Sequence, residues 1–459
     1  MKSISSRMAQ FAMELQYDSL PAEAVTEAKR FLLDSIGCAL AAVGNEDMEH
    51  ACSYIQALGG NHQATIIGYG NRTNMANAAL MNSLLIRALD YNDIYWKQDP
   101  SHPSDIIPAA LSTGEYMHCS GKDLIVGIII AYELEMRLCL AAFPGIREIG
   151  WHHATLTQFV SPAVAGRMLK LSAEQITAAI GIGGSSHATF GGVVAGALTN
   201  MKNTADPLAT EAGVRAAMLA QTGYEGPVEI FEGKEGLFEV INEVEWKSSV
   251  LTETLGTTYL ITECEYKAFP TEALTHQPIT AVLNLLTEHP LDPQNIKEIV
   301  IETTSRGADI LSDPSKYNPT TKETADHSLP YCIAVAVARG NVLPSDFTAE
   351  SLQDPLVREL IQKVKVNANS HIDDLFPQVK RAICTITTEK GNTYTRQEDF
   401  AKGSTEYPLT DDELISKFRA NSRGQLSEDR MSTLVEATFN LEQYDDISEY
   451  ISLLISDLS

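Results

Sequence analysis

Over the first 260 or so positions, apolar residues recur at helical spacing. Leu32, Leu33, Ile36 and Leu40 fall every three or four residues and predict a helix running to about Ala42. Pro21 suits its first position, with Ser19 or Leu20 just before it. The stretches 73–89, 123–142 and 206–221 predict three more helices. Ser172 followed by Gln175 is a capping-box pair and starts another at about 172.

The pattern changes after Tyr259. Short β-branched runs at 297–304, 364–368 and 382–397 read as strands. In the last run Ile383, Thr385 and Thr387 alternate with Cys384, Ile386 and Thr388, and Lys390-Gly391-Asn392 turns the chain into a hairpin. Helices at about 273–288 and 326–340 interrupt the strands. This predicts an α+β domain, an antiparallel sheet with helices on one face. Thr410 and Glu413 then form a second capping box, and "DISEYISLLISDL" predicts a final helix. The expected fold is a mainly α-helical large domain with a smaller α+β domain inserted in it. The expected boundaries are 1–263 and 400–459 for the helical part and 264–399 for the α+β part.

Charge narrows the partners. Lys and Arg number 34 against 60 Asp and Glu, a formal net charge of −26. A nucleic-acid partner demands a basic surface and is excluded, and an anionic membrane surface is disfavoured in the same way. The N-terminus reads as an amphipathic helix with no leader, and the apolar 124–142 stretch carries Glu133, Glu135 and Arg137, against a membrane span. Seven scattered cysteines without a CxxC pair fit reduced thiols and a cytoplasmic location.

Candidate chemistry concentrates in a few segments. "RALDYNDIYWKQDPSHPSDII" (87–107) sets Asp90 and Asp93 three apart at a helix end, where the dipole opposes a carboxylate. Pro103 restricts His102 to an extended conformation that can aim it, and Asp105 is a natural cap for the next helix. His152 and His153 are adjacent, so one can face a cavity while the other is structural. The six glycines of 181–198 lack a phosphate-loop pattern and read as close helix packing. Lys202 and Lys267 are candidate carboxylate clamps. His276 stands at a helix start, and Asp326, His327 and Tyr331 lie at or in an apolar helix with His327 and Tyr331 four apart. For each, a solvated, capping or core role competes with the chemical one. No metal motif is present, so no metal is expected; His152 and His153 are too close for easy joint chelation, and Asp90, Asp93 and His102 are the set that could bind a divalent ion.

"ALDYNDIYWKQDPSHPSD" (88–105), "GWHHATLTQFVSP" (150–162), the Lys202 segment with 216–233, "KAFPTEALTHQ" (267–277) and "TADHSLPYCIAVA" (324–336) together resemble the MmgE/PrpD family, which includes 2-methylcitrate dehydratase and cis-aconitate decarboxylase. The resemblance implies a homodimer without cofactor or metal, a small di- or tricarboxylate substrate, and an active site in a cleft beneath a lid domain. It implies Asp90, His102, His153, Lys202 and Tyr331 as catalytic residues, with His152, Asp93, Ile94, Lys267 and His276 binding substrate. On this expectation His102, tuned by Asp90, takes a proton beside a carboxylate. A histidine of the 152–153 pair, or Tyr331, protonates the leaving hydroxyl, and the two lysines stabilise the developing charge. Asp105 is similar to the dehydratases. His152 replaces the family's aspartate and Ile94 its threonine, which points to a changed substrate. The expected reaction is dehydration of 2-methylcitrate or a related hydroxy-polycarboxylate. The alternatives are decarboxylation of a cis-aconitate type and epimerisation or isomerisation of a dicarboxylate. A non-catalytic role is disfavoured because the ionisable set is complete.

Overall fold

The computed structural model describes residues 2–195 and 198–458, and the chain folds as two units. The helical unit takes Met1–Ala88, Asn92–Cys264 and Thr410–Ser459; the α+β unit takes Leu89–Tyr91 and Glu265–Leu409. Two details differ from expectation. Leu89–Tyr91 belong to the α+β unit, where the Tyr91 hydroxyl donates to the Ala268 carbonyl at 3.1 Å. The return to the helical unit comes at Thr410 rather than at 400, because 400–409 is held within the α+β unit. There Tyr266 N–H donates to the Gly403 carbonyl at 2.9 Å and Lys402 N–H to Thr280 Oγ1 at 3.2 Å.

The helical unit begins with α1 (Ile4–Glu14), α2 (Ala22–Ala42) and α3 (Glu46–Leu58). Then come α4 (Met75–Arg87), α5 (Ile107–Tyr116) and α6 (Gly121–Ala141). α7 (Ala154–Met168), α8 (Ala173–Gly184) and α9 (Ala205–Gln221) complete the run. Every residue of α4 is buried, which explains its apolar and small composition on all sides. It packs on α2, α5 and α9, while α7 packs on α6, α8 and α9. Pro21 is the N-cap of α2, one position before the expected one. The Ser172–Gln175 and Thr410–Glu413 capping boxes both form.

The C-terminal segment folds back onto the helical unit. Helix Asp411–Ser422 lies against α2, and the missing side chain of Gly37 admits Phe418, whose Cα would sit 3.3 Å from a Cβ there. Lys417 reaches buried Asp34 at 2.7 Å. The final helix is shorter than expected, Ile447–Ser452. Beyond it Ser456 N–H donates to the Gly68 carbonyl and Gly68 N–H to that of Leu454, each at 2.9 Å; this pairing takes over from the helical ladder.

In the α+β unit four strands pair in the order β4-β3-β1-β2, with β1 (Ile296–Thr303), β2 (Val364–Ala368), β3 (Ala382–Thr388) and β4 (Thr393–Glu398). The β3–β4 hairpin pairs Thr387 with Thr393, and Gly391 turns it at φ +82°. The sheet is mixed rather than antiparallel. β1 and β2 run parallel, Ile299 opposite Val364, because a long helical crossover separates them in sequence. Ala382, Cys384, Ile386 and Thr388 form the buried face of β3, against which α10 (His276–Glu288) packs. α11 (Leu329–Arg339) packs on α10 and β2. Among the described residues no helix is long and apolar enough to cross a membrane.

Candidate active site

Three histidines meet in the helical unit. His102 lies between the Tyr95–Trp96/Pro100–Ser101 ladder and the 3-10 turn Pro103–Ile106, with φ −126° and ψ 79°. Its Nδ1 sits 2.6 Å from the Asp93 carbonyl oxygen. A carbonyl only accepts, so Nδ1 carries a hydrogen. His153 immediately precedes α7, and its ring lies edge-on to His102 at 5.6 Å between centroids and 3.9 Å from the ring of His152.

The two adjacent histidines are held differently. His152 Nδ1 accepts the N–H of Ala154, the first residue of α7, at 3.2 Å, and its backbone N–H donates to the Thr189 carbonyl at 2.9 Å. Burial, then the neighbouring His153, push its pKa well below the ordinary value, so it is neutral. His152 therefore caps a helix. Both ring nitrogens of buried His153 lack an aligned hydrogen bond among the described residues. Its Nε2 lies 3.2 Å from Asp206 Oδ2, an ion-pair distance.

Asp206 is the residue that the sequence pattern left in a helix. It sits in the first turn of α9, where the N-terminal dipole favours a carboxylate. Burial works to raise its pKa. His153 outweighs that, with His152 and Arg87 adding to the effect, and the group is held below the usual carboxylate range. An acid in a first turn is an ordinary capping signature, so nothing in its spacing set it apart. Glu135, a charge in an apolar helix, carries no spacing signal either.

The carboxylates of 87–107 separate. Asp93 is buried, accepts from Ser104 N–H at 3.1 Å and Ser104 Oγ at 2.6 Å, and is raised by burial to about 6. Asp105 is no helix cap. It is fully buried, accepts from Asn92 Nδ2 at 3.0 Å and faces Arg87 Nε at 3.5 Å. Ile94 is buried, and its carbonyl oxygen lies 3.5 Å from Cys264 Sγ. Lys202 is buried in the turn Asn200–Asn203, immediately before α9. The glycines of α8 serve packing, since a Cβ on Gly183 would come 2.6 Å from the Gln158 carbonyl oxygen. Gly196 of that stretch lies outside the described residues.

The ion set changes as well. Among the described residues the grouping whose ligand atoms converge is His152, His153 and Asp206, all within 4.8 Å, in place of Asp90, Asp93 and His102. His152 fits a metal poorly: its Nδ1 lone pair already takes the Ala154 N–H, which leaves the hydrogen on Nε2.

The α+β unit holds the other expected residues. Asp90 adopts a left-handed backbone, φ +50°, past the end of α4. Its carboxylate receives Lys267 Nζ at 2.7 Å, and the same ammonium donates to the Asp90 carbonyl at 3.1 Å and the Thr271 carbonyl at 3.2 Å. His276 Nε2 lies 3.3 Å from the Thr271 carbonyl, and its ring packs 5.4 Å from Phe269. The helix expected from 326 starts only at Leu329, so Asp326 and His327 precede it and the face shared with Tyr331 does not form. His327 Nδ1 lies 2.5 Å from Asp326, and Lys322 donates to the other Asp326 oxygen at 3.0 Å. The Tyr331 side chain is fully buried, and its hydroxyl donates to the Asp346 carbonyl.

Residues 6–248 match the MmgE/PrpD N-terminal domain and residues 269–441 the MmgE/PrpD C-terminal domain. The chain belongs to the MmgE/PrpD family. It is similar to cis-aconitate decarboxylase of Homo sapiens, 26% identical over 99% of this chain and 95% of that protein. It is also similar to a cis-aconitate decarboxylase-like protein, oryM, of Aspergillus oryzae, 25% identical over 99% of this chain and 98% of that one. To 2-methylcitrate dehydratase of Escherichia coli (strain K12) it is 25% identical over 96% of this chain and 95% of the enzyme.

Proposed function

We propose that the chain is a lyase acting on a small tricarboxylate, and that the reaction is dehydration of 2-methylcitrate or a close hydroxy-polycarboxylate. The observation that carries this is the asymmetry of two neighbouring histidines. His102 donates through Nδ1 to the Asp93 carbonyl, and His153 is backed by the Asp206 carboxylate. Dehydration needs one base and one acid. His102 Nε2 takes the proton from the carbon beside a carboxylate, the C–H electron pair becomes the second bond of the alkene, and the C–O bond breaks. His153 supplies the proton with which the hydroxide leaves as water. Buried Lys202 stabilises the negative charge that develops on the substrate carboxylate.

Decarboxylation of cis-aconitate is the second reading, supported by the decarboxylases among the similar proteins. There the C–C electron pair left by departing carbon dioxide is delocalised through the alkene as an allylic carbanion, and the reaction needs a proton donor to quench it. His102→Gln separates the two. A dehydratase loses its base, and turnover falls about a hundredfold or more. A decarboxylase served by His153 alone keeps most of its rate. Loss of activity in neither His102→Gln nor His153→Gln overturns both readings.

A further inference from the structure

A carboxylic acid that this scheme does not use lies behind His153. Glu135, on α6, is fully buried. Its Oε1 accepts from Ser101 Oγ at 2.5 Å and from Thr157 Oγ1 at 2.9 Å, while Oε2 has no hydrogen-bond partner among the described residues. The Thr157 hydroxyl also lies 3.4 Å from Asp206 Oδ1, and Asp206 Oδ2 is the oxygen 3.2 Å from His153 Nε2. Three helices thus contribute to one file of polar groups that ends on the imidazole. We propose that Glu135 is a positioning residue for His153, acting through the Thr157 hydroxyl and Asp206. The inference rests on His153 as the acid of the reaction proposed above.

Thr157 has a single hydroxyl hydrogen and two carboxyl groups within reach, so the charge on Glu135 decides which one receives it. The groups that face Glu135 are Ser101 and Thr157, which favour its ionised form, and Asp206 and Asp93, which oppose it; Cys139, on the same helix, has its own thiol pushed up by burial and by Glu135. Burial is the largest influence, and it raises Glu135 to about 8. At neutral pH Glu135 is then the uncharged acid, and Asp206 supplies the carboxylate charge paired with the imidazole. On ionisation Glu135 tightens its hold on the Thr157 hydrogen and keeps an oxygen lone pair turned toward Asp206. It also adds a second negative charge behind His153, which works against release of a proton from the ring. Turnover falls while substrate binding is little changed.

The test follows the His153 ring by NMR in full-length protein labelled at histidine Cε1, assigned with His153→Gln. In parallel, kcat and KM are measured from pH 6 to 9.5 on whichever tricarboxylate turns over. The wild-type His153 resonance is expected to show a step near pH 8, and kcat to fall about tenfold above it with KM steady. Glu135→Gln keeps an acceptor for Ser101 and Thr157 but cannot ionise, so the step and the fall should both vanish. Thr157→Val cuts the link and leaves Glu135 ionisable, so the step should shrink. It carries the test if the Glu135 variant does not fold. Identical titration of the His153 ring in wild type and variants overturns the proposal. The resonance needs no substrate, so failure of the lyase reading is recognised separately, by the absence of turnover beside an intact step.

Discussion

The histidine cluster of the helical unit and the lysine–aspartate pair of the α+β unit are both buried and both ionisable, yet their hydrogen bonding is opposite. Lys267 gives its ammonium three acceptors between 2.7 and 3.2 Å. Tyr331 donates to a backbone carbonyl in the same unit. Around His153, by contrast, both ring nitrogens, Asp206 Oδ2 and Glu135 Oε2 lack aligned partners among the described residues. Leaving such groups unpaired in a protein interior is costly, and a saturated pair would be the stable arrangement. Groups kept short of partners are suited to exchange protons with a substrate. Groups with every partner supplied hold the chain in place.

The sharpest way to break that comparison is His153→Ala, which should lower kcat about a thousandfold or more in a turnover assay. Lys267→Met should do its damage in stability. It leaves the Asp90 carboxylate buried without its cation and should cost about 3 kcal/mol in urea unfolding, most of which Asp90→Leu in the same chain restores. Asp93 sharpens the pH side. Its folded pKa of about 6 stands above the usual 3.8, so its contribution to stability is complete below pH 3.8 and is lost as pH rises through 6. Asp93→Asn should flatten that part of the curve of unfolding free energy against pH, by about 3 kcal/mol. The smallest effect is expected from Tyr331→Phe, which orphans the Asp346 carbonyl and should cost about 1 kcal/mol with turnover within twofold.

Much of the fold could be read from the chain because its signals are local. Capping boxes at Ser172 and Thr410, helical spacing in α2 and alternation in β3 each need only a few neighbouring residues. The parallel pairing of β1 with β2 depends on a long crossover and left no such signal. The same limit governed the site. His102 and His153 stood out because a histidine before proline and a histidine pair are uncommon patterns. Asp206 and Glu135 looked like a helix-start acid and a charge in an apolar helix, and only their distances to Thr157 and His153 set them apart. The two adjacent histidines could not be told apart without the Ala154 N–H that His152 accepts. The face shared by His327 and Tyr331 was expected because the helix was read as starting at about 326, and it starts at Leu329.

The most direct measurement incubates purified wild-type and His153→Ala protein, side by side, with 2-methylcitrate stereoisomers, citrate and cis-aconitate, and follows the products by NMR and ultraviolet absorbance. The account predicts a new conjugated alkene from one hydroxy-tricarboxylate with the wild-type protein and none above background with His153→Ala. Equal turnover by both proteins, or no turnover of any of these acids by the wild type, would contradict it.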